Sequence, residues 1–252
     1  KVIYTPIHGT GNKPVRRVLK ELGFEQITVV PQQEKPDPDF STVAYPNPEE
    51  KEVFTLAIAL AEAKRADLII GTDPDCDRVG VVVKNKRGEY VTLTGNQTGA
   101  LLVHYCLNAL KSSGALPENG CIIKTIVTGE MGRKIAESFG VDTIDTLTGF
   151  KFIGEKIKEF EETGSHTFLL GYEESYGYLA GDFVRDKDAV IASMLICEMA
   201  AWYRSRGMSL YDGLVSLWDR YGYFKETLKS IQMAGKEGME KIRILIFSIP
   251  SL

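Results

Sequence analysis

The chain has 252 residues, of which 44% are hydrophobic and 25% charged, and its formal net charge is −4 at pH 7. This length is sufficient for two ordinary domains, and the composition excludes a disordered or fibrous protein. Lys and Arg form no basic stripe, and no apolar stretch approaches the roughly 20 residues of a membrane-spanning helix. We therefore expect neither nucleic acid nor a membrane among its partners.

The first half of the chain is predicted to alternate strands with amphipathic helices. Apolar residues at helical spacing after Pro14, stopped by Gly23, indicate the first helix. Asn47 as a cap, with Pro48 in the first turn, indicates a second helix that runs to about Arg65. The predicted elements are an opening strand, a helix over about 14–22, a strand over 27–30, a helix over about 48–65, a strand over 67–71, a hairpin over 79–83 and 90–93, and a helix over about 98–111.

A Pro-rich loop from Pro31 to Pro48 separates the second strand from the second helix. Its prolines interrupt both helical and extended patterns, so we expect no regular structure. Loops of this length in compact domains are often functional.

The second half restarts the same pattern after a small, polar linker over 112–120. Leu68-Ile69-Ile70-Gly71 and Phe168-Leu169-Leu170-Gly171 each end the third strand of their unit and precede an acidic loop, which indicates an internal duplication. The predicted elements are strands over 122–127, 143–147 and 167–171, helices over 131–139 and about 152–162, helices over about 187–204 and 210–221, a strand over 223–231, and a short helix within 235–252.

These patterns predict the α/β class. We expect two three-layer α/β/α domains with mostly parallel mixed sheets, related by internal duplication. We place the first domain at residues 1–112, the second at 113–231, and the start of a truncated further domain at 232–252. Ligands of such sheets bind beyond the carboxyl ends of the strands, where both acidic loops lie.

The first acidic loop contains Asp73, Asp75 and Asp77 at alternate positions, followed by Arg78. In an extended chain, neighbouring carboxylates of this set would lie roughly 7 Å apart on one side. Their mutual repulsion calls for a cation, and oxygen-only ligation is what Mg²⁺ prefers. The planar fork of Arg78 matches phosphate oxygens.

The loop has three alternative interpretations, of which one is excluded by its spacing. A calcium EF-hand is excluded, because counting from Asp73 the sixth position is Arg78 rather than Gly and the twelfth is Lys84 rather than Glu. A solvated acidic turn is the structural alternative. A phosphatase with Asp73 as nucleophile and Asp75 as acid is the enzymatic alternative.

The second acidic loop contains Glu173, Glu174 and Ser175 between two glycines. Carboxylates and hydroxyls recognise sugar hydroxyls through hydrogen bonds. The segment 148–151 ends the preceding strand of the same unit, so the two loops could share a ligand. The segment 185–188 precedes a long helix and fits a capped helix start as well as a site.

Other polar features are assigned structural roles. The segment 6–11 resembles half of a dinucleotide fingerprint, but Pro14 replaces the third glycine, which excludes that function. His8 is predicted to be structural, and His104 to belong to the half-buried core. Lone cysteines without metal-ligand spacing favour a reducing, cytoplasmic location; they are Cys76, Cys106, Cys121 and Cys197.

Together these motifs resemble, over almost the whole chain, those of the α-D-phosphohexomutases, the phosphoglucomutase and phosphomannomutase family. The segment 73–78 is similar to the family's magnesium loop, usually written DGDGDR, with Pro74 and Cys76 in place of the glycines. Glu173-Glu174-Ser175 is similar to the sugar-specificity loop, and Thr148-Gly149-Phe150-Lys151 to the loop beside it. Pro6-Ile7-His8-Gly9 resembles the opening of the family's second domain.

The resemblance implies that Asp73, Asp75 and Asp77 bind Mg²⁺, one ion per active site. It also implies that Arg78 approaches the active-site phosphate.

For the sugar, the resemblance implies contacts from Glu173 and Ser175, with Thr148 and Gly149 in the adjoining loop. Lys187 corresponds to a family lysine that acts in acid-base catalysis, although its spacing from Ser175 departs by one residue.

The resemblance also implies a four-domain enzyme, of which this chain carries the second and third domains and the first elements of the fourth. The chain begins with Lys1 inside a predicted strand, as an excised portion would. The catalytic serine, in a Ser-His-Asn-Pro context, does not occur in this sequence, nor does the Ser-Gly-Thr phosphate loop. The missing first and fourth domains of the same chain are therefore expected partners, together with a sugar phosphate substrate.

We accordingly expect the intact protein to interconvert hexose 1-phosphate and hexose 6-phosphate through a phosphoserine and a bisphosphate intermediate. Glucose is the favoured sugar, and glucose 1,6-bisphosphate the expected activator. This portion alone is predicted to be inactive. Phosphomannomutase and phosphopentomutase activities, a magnesium-dependent phosphatase and a sugar-binding module without chemistry are the alternatives.

Overall fold

A computed structural model of the chain describes residues 1–227, 233 and 235–248. Within them, two mixed sheets are covered by helices. The first sheet has the order β2-β1-β3-β4-β5 and the second the order β7-β6-β8-β9. The strands are β1 (Val2–Thr5), β2 (Ile27–Val29), β3 (Leu68–Thr72), β4 (Val79–Lys84), β5 (Tyr90–Leu93), β6 (Gly120–Thr125), β7 (Asp142–Thr146), β8 (Thr167–Tyr172) and β9 (Tyr178–Ala180).

Helices connect and cover these strands. They are α1 (Asn12–Glu21), α2 (Thr55–Lys64), α3 (Gly95–Ser112), α4 (Met131–Ser138), α5 (Phe150–Thr163), α6 (Ala189–Arg204), α7 (Leu210–Tyr221) and α8 (Gly235–Ser248). Short 3₁₀ helices lie at Pro31–Gln33 and Lys51–Phe54. None of the described helices is long and apolar enough to cross a membrane.

The two sheets repeat one topology. β1 pairs in parallel with β2 and β3, and β6 pairs in parallel with β7 and β8. The strand after each third strand, β4 or β9, is antiparallel to it. This repetition agrees with the predicted internal duplication, and it brings the carboxyl ends of β3 and β8 to equivalent edges.

The first sheet is buried on both faces because alternate side chains point to opposite sides. On one side, Ile3, Ile69 and Val82 pack against Ala57 and Ala61 of α2. On the other side, their neighbours along the strands join a larger core that includes residues of α1, α3, α6 and α7.

The second sheet follows the same rule. Cys121 and Ile123 pack against Ile153 and Ile157 of α5, whereas Ile122 faces the larger core shared with the first sheet. Each fully buried aliphatic side chain of this kind contributes about 1.5–3 kcal/mol. The prediction of two α/β/α domains with mixed sheets is confirmed.

The prediction was wrong at the start of the second helix, because residues 48–50 form a turn, Lys51–Phe54 form a 3₁₀ helix and α2 begins only at Thr55. The Asn47 Oδ1 atom does not cap a helix; it accepts a hydrogen bond from the backbone N–H of Glu49 (3.0 Å). Asn side chains form such local turns readily, and these compete with helix initiation.

Other elements also differ from their predictions. The Pro-rich loop, for which no regular structure was expected, begins with a 3₁₀ helix at Pro31–Gln33. α6 begins at Ala189 instead of 187, because Asp188 accepts from the N–H groups of Val190 and Ile191 as the N-cap. The short strand β9 was not predicted. In the predicted strand over 223–231, residues 223–227 have no regular secondary structure, and 228–231 lie outside the described residues.

The domain limits at 112 and 231 stay a prediction. α3, which precedes the first limit, packs against α4, α6 and α7 as well as β8. Of the predicted further domain at 232–252, residues 232, 234 and 249–252 lie outside the described residues, and α8 covers most of the rest.

Candidate active site

The loop between β3 and β4 is folded around the side chain of Asp73, which is only 1% exposed. Its Oδ1 atom accepts hydrogen bonds from the backbone N–H groups of Asp77 (3.0 Å) and Arg78 (2.9 Å). Cys76 adopts a left-handed conformation with φ of 63°, which turns the chain back toward β4. The predicted loop is therefore a tight turn organised by one buried carboxylate.

The turn brings Asp73, Asp75 and Asp77 together. One ligand oxygen from each lies within 4.8 Å of the others. Asp73 is buried, Asp77 half-buried and Asp75 exposed, so the cluster opens to solvent on one side. Burial raises the pKa of Asp73 to about 6, Arg78 opposes this rise, and the neighbouring Asp77 adds to it.

Arg78 links this turn to the long Pro-rich loop. Its Nε atom donates to Asp73 Oδ2 (2.8 Å), and its Nη1 atom donates to Asn47 Oδ1 (3.3 Å) and Glu49 Oε1 (3.4 Å). Burial disfavours the charge of Arg78, but Asp73, Asp77 and Glu49 outweigh it and raise the pKa of the guanidinium. Arg78 therefore stays charged at the mouth of the turn.

Lys187 reaches the same turn from the second domain. Its ammonium lies 3.0 Å from Asp77 Oδ2 and 3.2 Å from Asp186 Oδ1, and 5.5 Å from the ring centre of Phe150. Burial lowers the pKa of Lys187, but the ion pairs with Asp77 and Asp186 reverse the effect, so that the pKa is raised overall.

The two acidic loops also meet through their backbones. The N–H of Val79 donates to the carbonyl of Tyr176, and the N–H of Ala189 donates to the carbonyl of Cys76, both at 3.1 Å. Arg78 and Gly177 form an isolated antiparallel bridge between them. The positions of the two predicted sites are thus fixed relative to each other by main-chain hydrogen bonds.

In the second loop, Glu173 is buried, with 6% of its surface exposed. Its Oε1 atom accepts a hydrogen bond from the backbone N–H of Gly149 (3.0 Å). Burial raises the pKa of Glu173, although Gly149 and Lys187 both favour the carboxylate. Gly149 has φ of 117°, which only glycine adopts without strain, so the close approach of the two loops depends on it.

The remaining predicted residues lie at the rim of this loop pair. Ser175 is half-buried, and Thr148 is exposed beside Gly149. Glu174 points elsewhere, since its Oε2 atom accepts from the hydroxyls of Thr128 (3.0 Å) and Thr125 (3.2 Å).

A buried lysine at the end of β6 was missed by the sequence analysis. Lys124 is 0% exposed, and its ammonium contacts Thr128 O (3.0 Å), Glu130 Oε1 (2.8 Å) and Asp145 Oδ1 (3.1 Å). Arg133 adds ion pairs to the same two carboxylates. A lysine that directly follows the apolar run Cys121-Ile122-Ile123 was the available signal.

His8 lies near the site but is held as a structural residue. Its ring nitrogens are each 2.8 Å from a partner, the carbonyl of Lys35 and the hydroxyl of Thr42. The following segment packs against the Asp turn, since both the N–H and the hydroxyl of Thr10 donate to the carbonyl of Pro74.

Family models match most of the chain. The model described as "Phosphoglucomutase/phosphomannomutase, alpha/beta/alpha domain II" matches residues 1–88. The model of the corresponding domain III matches residues 94–221. The chain belongs to the phosphoglucomutase/phosphomannomutase family. The resemblance stated from the motifs is confirmed.

Curated members of this family are similar along the whole chain. A phosphoglucomutase of Staphylococcus haemolyticus (strain JCSC1435) is 41% identical over 246 residues, which cover 98% of this chain and 44% of the relative. A phosphoglucomutase of Staphylococcus aureus (strain MRSA252) is 37% identical over the same share of both chains. The chain thus spans less than half the length of these relatives.

Solved structures of a phosphoglucomutase/phosphomannomutase family protein and of an N-acetylphosphoglucosamine mutase share the fold. A family protein from Burkholderia thailandensis superposes with a TM-score of 0.65 at 21% identity, covering 86% of this chain and 42% of that one. The N-acetylphosphoglucosamine mutase of Aspergillus fumigatus, in complex with GlcNAc-6P and magnesium, has a TM-score of 0.60 at 14% identity and covers 86% and 48%.

Proposed function

We propose that this chain is the metal-binding and sugar-binding part of a hexose-phosphate mutase, which in the intact protein interconverts hexose 1-phosphate and hexose 6-phosphate. The observation that carries the proposal is the meeting of both acidic loops at one edge, where Lys187 of the second domain lies 3.0 Å from Asp77 of the first. The 41% identity to a phosphoglucomutase supports it and favours glucose as the sugar.

Asp73, Asp75 and Asp77 fit Mg²⁺, because they offer only carboxylate oxygens and those oxygens already lie within 4.8 Å of one another. The Aspergillus mutase, whose structure contains magnesium, has the same fold. When bound, the ion would neutralise negative charge on the transferring phosphoryl group.

Arg78 would bind the phosphate oxygens through its guanidinium. Lys187 would act as the acid-base group. Because its pKa is raised by Asp77 and Asp186, it would enter the reaction as the protonated acid, whereas the pKa of a general base should lie near the working pH.

The sugar would be held by Glu173 and Ser175, with Thr148 and Gly149 at the rim. The Oε1 atom of Glu173 accepts one hydrogen bond from the N–H of Gly149. The carboxylate has further lone pairs that can accept hydrogen bonds from sugar hydroxyls. Since Gly149 also fixes the orientation of this carboxylate, sugar recognition would depend on both loops.

In the intact protein, the phosphoryl group would pass from a phosphoserine to the free hydroxyl of the sugar phosphate. The bond between phosphorus and the serine oxygen would break, and that oxygen would gain a proton as the sugar hydroxyl loses one. This yields a free serine and a bisphosphate, such as glucose 1,6-bisphosphate, which would also serve as activator. After the bisphosphate reorients in the site, its other phosphoryl group would be transferred to the serine. The serine and the second phosphate loop would come from the first and fourth domains of the same polypeptide.

The arrangement of Asp73 disfavours the phosphatase alternative. A nucleophilic carboxylate must reach the phosphorus, yet Asp73 is 1% exposed and both of its oxygens accept hydrogen bonds from Arg78. A cytoplasmic location is part of the proposal and is supported by the four free cysteines.

The test compares the full-length protein with residues 1–252 alone, using glucose 1-phosphate, Mg²⁺ and a trace of glucose 1,6-bisphosphate. We expect isomerisation by the full-length protein and none by the 252-residue portion. Parallel assays with mannose 1-phosphate and ribose 1-phosphate rank the sugars. Isomerisation by the 252-residue portion, or beryllofluoride trapping on Asp73 with hydrolysis of small phosphate esters, would overturn the proposal.

A further inference from the structure

The segment between β2 and α2, which contains the Pro-rich loop, ends at the candidate active site. Its residues Asn47 and Glu49 both accept hydrogen bonds from Arg78 Nη1, at 3.3 and 3.4 Å. We propose that Asn47 and Glu49 are positioning residues, which hold the Arg78 guanidinium in the orientation that meets the substrate phosphate. This inference rests on the phosphate-binding role proposed above for Arg78.

The Arg78 guanidinium is held by hydrogen bonds on two sides. Asp73 accepts from Nε at 2.8 Å, while Asn47 and Glu49 accept from Nη1. Among the residues that the structure describes, Nη2 has no hydrogen-bond partner. Since a guanidinium is planar, fixing two of its nitrogens also fixes the direction of the third. The free Nη2 donor is therefore already oriented before a phosphate arrives.

The end of the Pro-rich loop is rigid enough for this purpose. Asn47 Oδ1 accepts from the backbone N–H of Glu49 (3.0 Å), and the N–H of Glu50 donates to the carbonyl of Asn47 (2.9 Å). Pro48 is buried against β4, where a Cβ atom at Gly80 would lie 2.9 Å from the Pro48 carbonyl oxygen and 3.0 Å from its Cβ. The turn and its contact with the strand thus set where Asn47 and Glu49 point.

A contribution to stability alone explains these contacts poorly. The side chains of Arg78 and Glu49 are 28% and 26% exposed, and their ion pair is long at 3.4 Å. Partly exposed ion pairs stabilise a fold weakly. Oriented donors at a phosphate site, in contrast, act directly on the rate of transfer.

The experiment uses the full-length protein and the variant Glu49→Gln, which keeps the size and one acceptor oxygen but removes the charge. Glu50→Gln is the matched control, because Glu50 is an exposed carboxylate one residue further along that forms no ion pair or hydrogen bond with Arg78 within the described part of the chain. Both are made also in an Arg78→Lys background, where the planar fork is absent. The steady-state kinetics with glucose 1-phosphate give kcat and KM separately.

We expect Glu49→Gln to lower kcat about tenfold with KM changed less than about twofold, because orientation in the transition state is lost. Glu50→Gln should change kcat less than about twofold, and Glu49→Gln should cost less than about twofold in the Arg78→Lys background. An equal loss in both backgrounds, or equal effects of Glu49→Gln and Glu50→Gln, would overturn the proposal.

Asn47 is tested by rescue. Asn47→Ala removes the acceptor and should lower kcat about as much as Glu49→Gln, whereas Asn47→Asp retains an acceptor at the same position and should restore most of the rate. Failure of Asn47→Asp to recover more activity than Asn47→Ala would count against positioning by Asn47.

A spectroscopic measurement separates this inference from the proposed function. The ¹⁵N-labelled Nε–Hε resonance of Arg78, assigned by its loss in Arg78→Lys, reports how firmly the guanidinium is held. We expect it to broaden or shift in Glu49→Gln and to stay unchanged in Glu50→Gln. An unchanged resonance in Glu49→Gln would overturn the positioning role, whereas a wild-type protein without mutase activity but with this response would overturn only the proposed function.

Discussion

Asp77 forms an ion pair between the two domains. It belongs to the turn after β3, yet its closest cation is Lys187, from the loop before α6, at 3.0 Å. Asp73 instead interacts within its own turn, through Arg78. Neighbouring carboxylates of one short motif therefore have different tasks, since one shapes the turn and another connects it to the second domain.

Asp75 is the exposed member of the aspartate cluster, so its side chain contributes least to the packing of the turn. We predict that Asp75→Asn leaves the fold intact and weakens Mg²⁺ binding by at least on the order of tenfold to a hundredfold, since loss of even an outer-shell partner of a metal site typically has an effect of this size. Calorimetric titration of the full-length protein with MgCl₂ measures the change. Asp39→Asn, at an exposed loop carboxylate outside the cluster, is the control. Equal affinity of Asp75→Asn and the wild type would contradict the prediction.

The sequence was informative about residues whose chemistry is local. The alternating aspartates, Glu173 and the glycine-containing segment 148–151 could be recognised because neighbours in sequence form the site. The roles of Asn47 and Glu49 could not be predicted, because they contact Arg78 across about thirty residues of chain. Lys124 could have been suspected from its apolar context, but its partner Asp145 lies on another strand.

At the level of elements, predictions succeeded where one end signal had no competitor. α7 was predicted over 210–221 and spans Leu210–Tyr221, where Ser209 and Asp212 form a capping box. The helix predicted from 48 failed because Asn47 used its side chain in a turn that the sequence alone does not distinguish from a cap. β9 was missed because it is only three residues long and is defined by pairing with β8.

α3 carries a histidine that makes the packing of these helices sensitive to pH. His104 is 8% exposed and lies 3.2 Å from the hydroxyl of Tyr203 on α6. Burial, and to a lesser degree Arg220, lowers its pKa to about 4. The folded state therefore holds this ring neutral well below the unfolded pKa of about 6.5.

Because the folded pKa lies below the unfolded value, His104 lets stability persist above about pH 6.5 and decrease as the pH falls toward 4. We predict a loss of about 2 kcal/mol in the free energy of unfolding from this residue between pH 7 and pH 5. Urea unfolding at the two pH values, in wild type and His104→Gln, measures it. The variant should lose less than the wild type. The same pH dependence in His104→Gln would refute the prediction.

On the scale of the whole molecule, the two domains share one core. α6 packs against α1, β3 and β4 of the first domain as well as β9 of the second, and its residues lie in the cluster that spans both sheets. Domain interfaces that are large and apolar resist independent motion. We therefore expect residues 1–221 to fold as one unit, because helices from each half pack against the sheet of the other.

We predict that the chain unfolds in a single transition. Trp202 on α6 and Trp218 on α7 report on the second half by fluorescence, whereas circular dichroism reports on both sheets. The two urea curves should coincide, as two-state unfolding requires. Residues 1–112 alone should fail to fold, because the face of the first sheet that packs on α6 would be exposed. Separate transitions, or a folded 1–112 fragment, would contradict this.

The main-chain hydrogen bonds around the two acidic loops limit insertions and deletions at these positions of the sequence. The N–H of Val79 donates to the carbonyl of Tyr176, and the N–H of Ala189 donates to the carbonyl of Cys76. These bonds fix the alignment of the first turn with the second loop and the start of α6. A codon inserted in either turn would move partners in both domains, and we expect selection to remove it. Length variation among related proteins should accumulate instead at the hairpin turn over 85–89 and in the segment 113–119, where the described chain is mostly exposed and the added residues would extend into solvent.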